Sequence, residues 1–142
     1  MSVFLLAVML TLLTVVIHSA GTHVAITWGA RWTSRRRGRS RVRAVWLVPS
    51  LVTFLLITHL VEAGVWALAF RGAGMLPDFA TALYYSLTSY STVGFGDVVL
   101  PGGARSLGPI EAVAGVLMMG WSTAVIVAVV QKIYRETSEV AD

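Results

Sequence analysis

The sequence contains no cysteine, which excludes disulfides, thiolate metal sites and cysteine nucleophiles. It is also poor in charge: 13% of its residues are Asp, Glu, Lys or Arg, about half the roughly 25% usual in soluble domains. Acids are scarcest, 7 among 142 residues. The few acids and histidines inside apolar stretches form no recognisable nucleophile, base and oxyanion arrangement, so an enzyme is not expected. There is no internal repeat, and no low-complexity tract beyond one arginine-rich stretch. What is abundant is oil. The chain is 56% hydrophobic with a mean hydropathy of +0.77, a composition that makes lipid its natural solvent.

The apolar residues fall into runs. Residues 3 to about 28 are nearly uncharged and long enough, at about 1.5 Å per residue, to cross a hydrocarbon core of roughly 30 Å. A secretory leader would begin with basic residues and have a shorter apolar core. Here the basic residues follow the run. A second run covers 44–70 with Glu62 as its only acid, and a third covers 109–134 with Glu111 near its start and Lys132 near its end. Between the last two, 77–101 is too polar and glycine-rich to span. The expected order is a transmembrane helix within 1–30, a basic loop at 31–43, a domain at 44–134 and a tail at 135–142.

Orientation follows from the basic loop. Arg31, Arg35, Arg36, Arg37, Arg39, Arg41 and Arg43 lie there, out of 11 basic residues in the chain. Lys132 and Arg135 end the third run on the same side. Short loops rich in Lys and Arg stay cytoplasmic, so the N-terminus is expected outside, the C-terminus inside, and the protein in the plasma (inner) membrane as a multi-pass chain. Trp28, Trp32 and Trp46 flank the loop as an interfacial aromatic belt. The arginines are expected to contact anionic lipid, at about 1 kcal/mol each near the surface. A loop pinned to the membrane at both ends does not suit nucleic acid.

The segment between the second and third runs reads "PDFATALYYSLTSYSTVGFGD". Pro77 and Asp78 are a helix-start signal, and Phe79, Ala82, Leu83, Tyr85 and Leu87 follow at apolar positions. A helix over 78–91 is too short to span. Entering from outside, it points the negative end of its dipole at the membrane centre, which favours a cation. Gly94 and Gly96 adopt positive φ without penalty. Alternating them with Val93 and Phe95 lets successive carbonyls face one way, an arrangement similar to known carbonyl-lined loops that replace the water shell of a monovalent cation. One chain supplies one wall, and cyclic symmetry closes such rings.

At these residues, "ALYYSLTSYSTVGFGD" resembles the pore helix and selectivity filter of the potassium channel superfamily, closest in pattern to two-pore-domain pore loops and small bacterial channels. The likeness covers outer helix 44–70, pore helix 78–91, filter 92–97 and inner helix 109–134. It implies an all-α membrane protein with three transmembrane helices, a re-entrant pore helix and a filter loop. It also implies a homotetramer that conducts potassium passively, with potassium ions at the carbonyls of Thr92, Val93, Gly94, Phe95 and Gly96. The Thr92 hydroxyl would make the innermost site and Asp97 would stand at the outer mouth. No organic cofactor is implied. A non-selective monovalent cation channel is the alternative, and a non-conducting regulatory membrane subunit a weaker one.

Two positions depart from the family pattern. Phe95 stands where tyrosine is commoner, and Thr88 where many members keep a glutamate behind the filter. The brace beside Asp97 is therefore expected from Tyr84, Tyr85 or Thr88. One pore loop per chain requires four copies, where two-pore channels need two. Inner helices of the superfamily often bend at a central glycine, a place Gly120 occupies; helix packing is the competing role for Gly120 and for Gly115. No regularly spaced arginines lie within a span, so a voltage sensor of the usual kind is not expected. The tail 135–142 is too short for a ligand-sensing domain. Gating is then expected from the filter, the lipid, the membrane helices or a separate partner.

His18, His59 and Glu62 also stand out, since ionisable groups within bilayers are costly. By helical rise, His18 and His59 lie roughly 15 Å and 21 Å from the inner end of their spans. Glu62 shares the His59 face at i+3. Three roles stay open: a hydrogen-bonded brace between helices, a proton sensor, or a metal site. His23 is expected to be hydrated near the cytoplasmic interface.

Overall fold

A computed structural model describes residues 2–34 and 40–138, with the side chains of 30–34, 40–45, 134 and 136–138 outside that description. Among the described residues the chain is all-helical: α1 (Val3–Ser34), α2 (Ser40–Gly72), α3 (Phe79–Tyr90), a single 3₁₀ turn at Gly102–Ala104, and α4 (Leu107–Ser138). Three stretches are long and apolar enough to cross a membrane: Val3–Gly29, Trp46–Gly72 and Gly102–Ile133.

The long helices overrun the expected boundaries. α1 continues to Ser34 and α2 begins at Ser40, so the loop expected over 31–43 is helical at 31–34 and 40–43, and residues 35–39 lie outside the described residues. Arginine is a good helix former, and the basic residues extend each helix past its apolar stretch. α4 likewise starts at Leu107, ahead of Pro109, and runs past 134 to Ser138. Proline is tolerated in a first turn, where its missing N–H has no intrahelical partner.

Between α2 and α3 the chain reverses. The Gly74 N–H donates to the Arg71 carbonyl (3.1 Å) and the Met75 N–H to the Phe70 carbonyl (2.9 Å), while Gly74 takes φ +68°. This left-handed helix stop needs glycine or pays for a side chain. Asp78 then caps α3: its backbone is extended and its carboxylate accepts the Thr81 N–H. The 12 residues of α3 rise about 18 Å, so α3 enters the membrane layer and stops.

Packing places α3 between α2 and α4, and α1 against both of those helices. The outer core joins Leu6, Ala7 and Leu10 of α1 to Trp66, Ala67 and Phe70 of α2, to Ala82 and Tyr85 of α3, and to Leu100 and Leu107. An inner cluster joins Ala25 to Leu51 and Leu55. α1 is fitted to α2 by detail as well as by apolar contact. The Trp66 indole N–H donates to the Thr14 hydroxyl at 2.9 Å, and a Cβ at Gly21 would lie 3.0 Å from the Thr58 methyl. Residues such as Phe4, Leu12 and Val16 remain exposed, as a helix facing lipid over much of its circumference requires.

Candidate pore site and the buried cluster behind it

α3 ends at Tyr90, and the filter segment follows without regular structure. Its backbone alternates in hand. Thr92, Gly94 and Gly96 take φ of +63°, +51° and +80°, while Val93 and Phe95 stay negative. For Gly94 and Gly96 that conformation is free of steric cost. For Thr92 it is strained, because a β-branched side chain rarely occupies the left-handed region. Alternation of this kind gathers peptide N–H groups on one side and leaves carbonyls to the other. Two N–H groups indeed turn back to the end of α3: Thr92 donates to the Ser89 carbonyl at 2.9 Å and Gly94 to the Thr88 carbonyl at 3.0 Å.

The filter is exposed from end to end within one chain; Val93 is 54% and Phe95 70% accessible. Irregular backbone at membrane depth persists only where protein or a water-filled cavity covers it. That cover is missing from the single chain.

Of the three residues expected to brace Asp97, Tyr84 does so, its hydroxyl donating to Asp97 Oδ2 at 2.8 Å. This donation pushes the Tyr84 phenol above its ordinary range. The brace is therefore fully present below the ordinary tyrosine value of about 10, and is lost only as pH rises through the higher folded-state value. Tyr85 is buried in the outer core instead, against Gly108 of α4, where even a Cβ would overlap the phenol. The Thr88 hydroxyl donates to the Tyr85 carbonyl within α3 at 2.9 Å, so Thr88 supports the filter through its backbone carbonyl rather than its side chain.

Behind the filter, α1, α2, α3 and α4 each contribute to one buried polar cluster. His18 Nδ1 lies 3.0 Å from Glu62 Oε1, and His59 Nδ1 lies 3.2 Å from Glu62 Oε2. The helix spacing put His59 and Glu62 on one face, and the packing of α1 brings His18 to them. Tyr90 and Ser122 complete the cluster. The Tyr90 hydroxyl donates to Glu62 Oε2 and lies 3.1 Å from His59 Nδ1. Ser122 Oγ lies 3.0 Å from His59 Nε2 and 3.4 Å from His18 Nε2. His18 and Glu62 are wholly buried, with the two imidazoles stacked 5.2 Å apart and Trp121 tilted against His18. His23 is exposed and takes no part.

The two inner-helix glycines separate clearly. A Cβ at Gly115 would run into the Tyr90 carbonyl, whereas one at Gly120 would meet nothing within 4 Å. Gly115 is the close-packing glycine, and α4 runs unbroken through both. Glu111 is wholly buried, with its carboxyl facing the buried Ser86 hydroxyl of α3.

A family model described as an ion channel matches residues 42–132. No curated protein matches the chain, and no solved structure does. The match begins after α1 and takes in the rest of α2, all of α3, the filter and most of α4, the same elements that hold the alternating backbone. The chain belongs to the ion channel family, and residues 42–132 form its pore domain, of the potassium-channel type.

Proposed function

We propose that four copies of this chain form a channel that conducts potassium passively from the Thr92–Gly96 carbonyls. The observation that carries this reading is the filter backbone, alternating in hand at Thr92, Gly94 and Gly96 and uncovered within one chain. A cyclic tetramer covers it with neighbouring copies and turns its carbonyls onto a shared axis. Ions shed water there and move in file, with the Thr92 hydroxyl innermost and Asp97 at the outer mouth. The N-terminus lies outside, and the basic residues of 31–43 face the cytoplasm and anionic lipid. Opening uses a bend at Gly120, the inner-helix glycine with free space around it.

The test is flux from liposomes holding the purified protein, with potassium and sodium gradients compared. Potassium flux well above sodium flux is expected. Equal fluxes would replace this reading with a non-selective cation channel. No flux from intact tetramers would replace it with a non-conducting subunit.

Tyr84→Phe probes the filter in the same system. It removes the hydroxyl bonded to Asp97 and little else. The conducting state is expected to shorten at least roughly tenfold in single-channel records, because four such bonds disappear together. Ion preference should hold, since the carbonyl backbone is untouched. Unchanged dwell times would show that the bond does not brace the filter.

A further inference from the structure

The cluster of His18, His59 and Glu62 has more order than a brace between helices needs. Both imidazoles present Nδ1 to the same carboxylate, and both present Nε2 to the same hydroxyl, that of Ser122. A serine hydroxyl has one proton and two acceptor lone pairs. With both rings neutral and protonated at Nδ1, the two Nε2 atoms compete for that one proton, and a buried acceptor goes unserved. With both rings protonated at Nε2, Ser122 accepts from both and the outer side is complete. The two Nδ1 lone pairs and the carboxylate then share a single proton, that of the Tyr90 hydroxyl, which lies 3.1 Å from His59 Nδ1 and donates to Glu62, and a cation between them would complete the set.

We propose that His18 Nδ1, His59 Nδ1 and a Glu62 oxygen are the ligands of a divalent ion of the zinc class, with the Tyr90 hydroxyl beside the fourth position. Two imidazoles and one carboxylate suit zinc, which takes mixed nitrogen and oxygen donors, while calcium and magnesium favour oxygen alone. Tetrahedral bonds of about 2.0–2.1 Å separate neighbouring donors by about 3.3 Å. His18 Nδ1 lies 3.0 Å from Glu62 Oε1 and His59 Nδ1 lies 3.2 Å from the other oxygen, Oε2, and one ligand atom from each of the three residues falls within 4.8 Å of the others. Ser122 is a positioning residue: it fixes both ring orientations by accepting their outer N–H groups, as partners of metal-bound histidines do.

The site also gives α1 a task. The family match starts at residue 42, so His18 comes from outside the matched domain, while His59, Glu62, Tyr90 and Ser122 come from within it. An ion held there ties the added helix to the pore. Through Tyr90 it reaches the residue that closes α3, two positions before Thr92.

The experiment uses the full chain in detergent, stripped with a chelator and separated from free metal. Zinc or cobalt is added, and bound metal is measured by mass spectrometry after gel filtration; cobalt also reports its coordination through visible absorption. About one ion per chain is expected, with cobalt bands of tetrahedral nitrogen and oxygen ligation. Ser122→Ala should bind roughly 10- to 100-fold more weakly, His18→Gln and Glu62→Gln more weakly still, and His23→Gln normally. Elution position and helical circular dichroism confirm that each variant is folded. Absence of stoichiometric binding by the folded wild type would overturn the site, leaving a single proton on one ring as the cation. Binding unaltered in folded His18→Gln would overturn it as well. Metal content is read without any flux, so failure here leaves the conduction reading to its own test.

Discussion

Gly96→Ala is expected to abolish potassium flux while the chain still folds and assembles. Gly96 takes φ +80°, and an L-residue with a Cβ loses about 1–2 kcal/mol in the left-handed region. No neighbouring atom within the chain crowds the position, so the cost is conformational and not a clash. A tetrameric filter repeats that cost at four places around one axis, for a total of about 4–8 kcal/mol. At about 1.4 kcal/mol per factor of ten, the conducting arrangement becomes at least roughly a thousandfold rarer. Single-channel recording and liposome flux measure the loss, and gel filtration shows whether assembly persists. Leu12→Ala is the control, because Leu12 is exposed on α1, outside the filter. Wild-type flux through Gly96→Ala channels would count against a carbonyl-lined path at this residue.

Glu62→Leu is expected to lower stability by about 3–5 kcal/mol per chain, the usual cost of removing one partner from a buried charged set. Glu62 holds His18, His59 and Tyr90 at once, so the substitution removes one shared acceptor from three polar groups in a largely buried site. The loss would be read as a shift in the denaturant midpoint of the detergent-solubilised protein. Replacing His18, His59 and Glu62 together by apolar residues of similar size should recover part of it, since only the Tyr90 and Ser122 hydroxyls then lose partners and a buried polar set exchanged whole is often nearly neutral. Equal destabilisation in the single and triple variants would show that packing volume, not stranded polarity, sets the cost.

How much of this was legible in the sequence depended on how local each signal is. The spans were legible because lipid demands long apolar runs, and the start of α3 because Asp78 is a capping side chain within reach of Thr81. Gly94 and Gly96 announced the reversed backbone through their lack of a side chain. Thr92 did not, since a β-branched residue at positive φ runs against its own preference. The helix ends around the arginines were misplaced, because charge marks the membrane surface without stopping a helix. The cluster was half legible. His59 and Glu62 share a helix turn, whereas Ser122 and His18 are 104 residues apart and meet only through the packing of α4 on α1. Tyr90 had two local neighbours of its kind, Tyr84 and Tyr85, and nothing in the chain singled it out as the one turned toward Glu62.

The contact between Gly115 and the Tyr90 carbonyl divides the inner helix mechanically. Above it, α4 is seated against the pore helix so closely that a single methyl group would unseat it. Below Gly120, the first polar side chain is Ser122, which touches both imidazoles. On the bend proposed at Gly120, the Gly115 contact would serve as the fulcrum and Ser122 as a latch that releases before the lower arm travels.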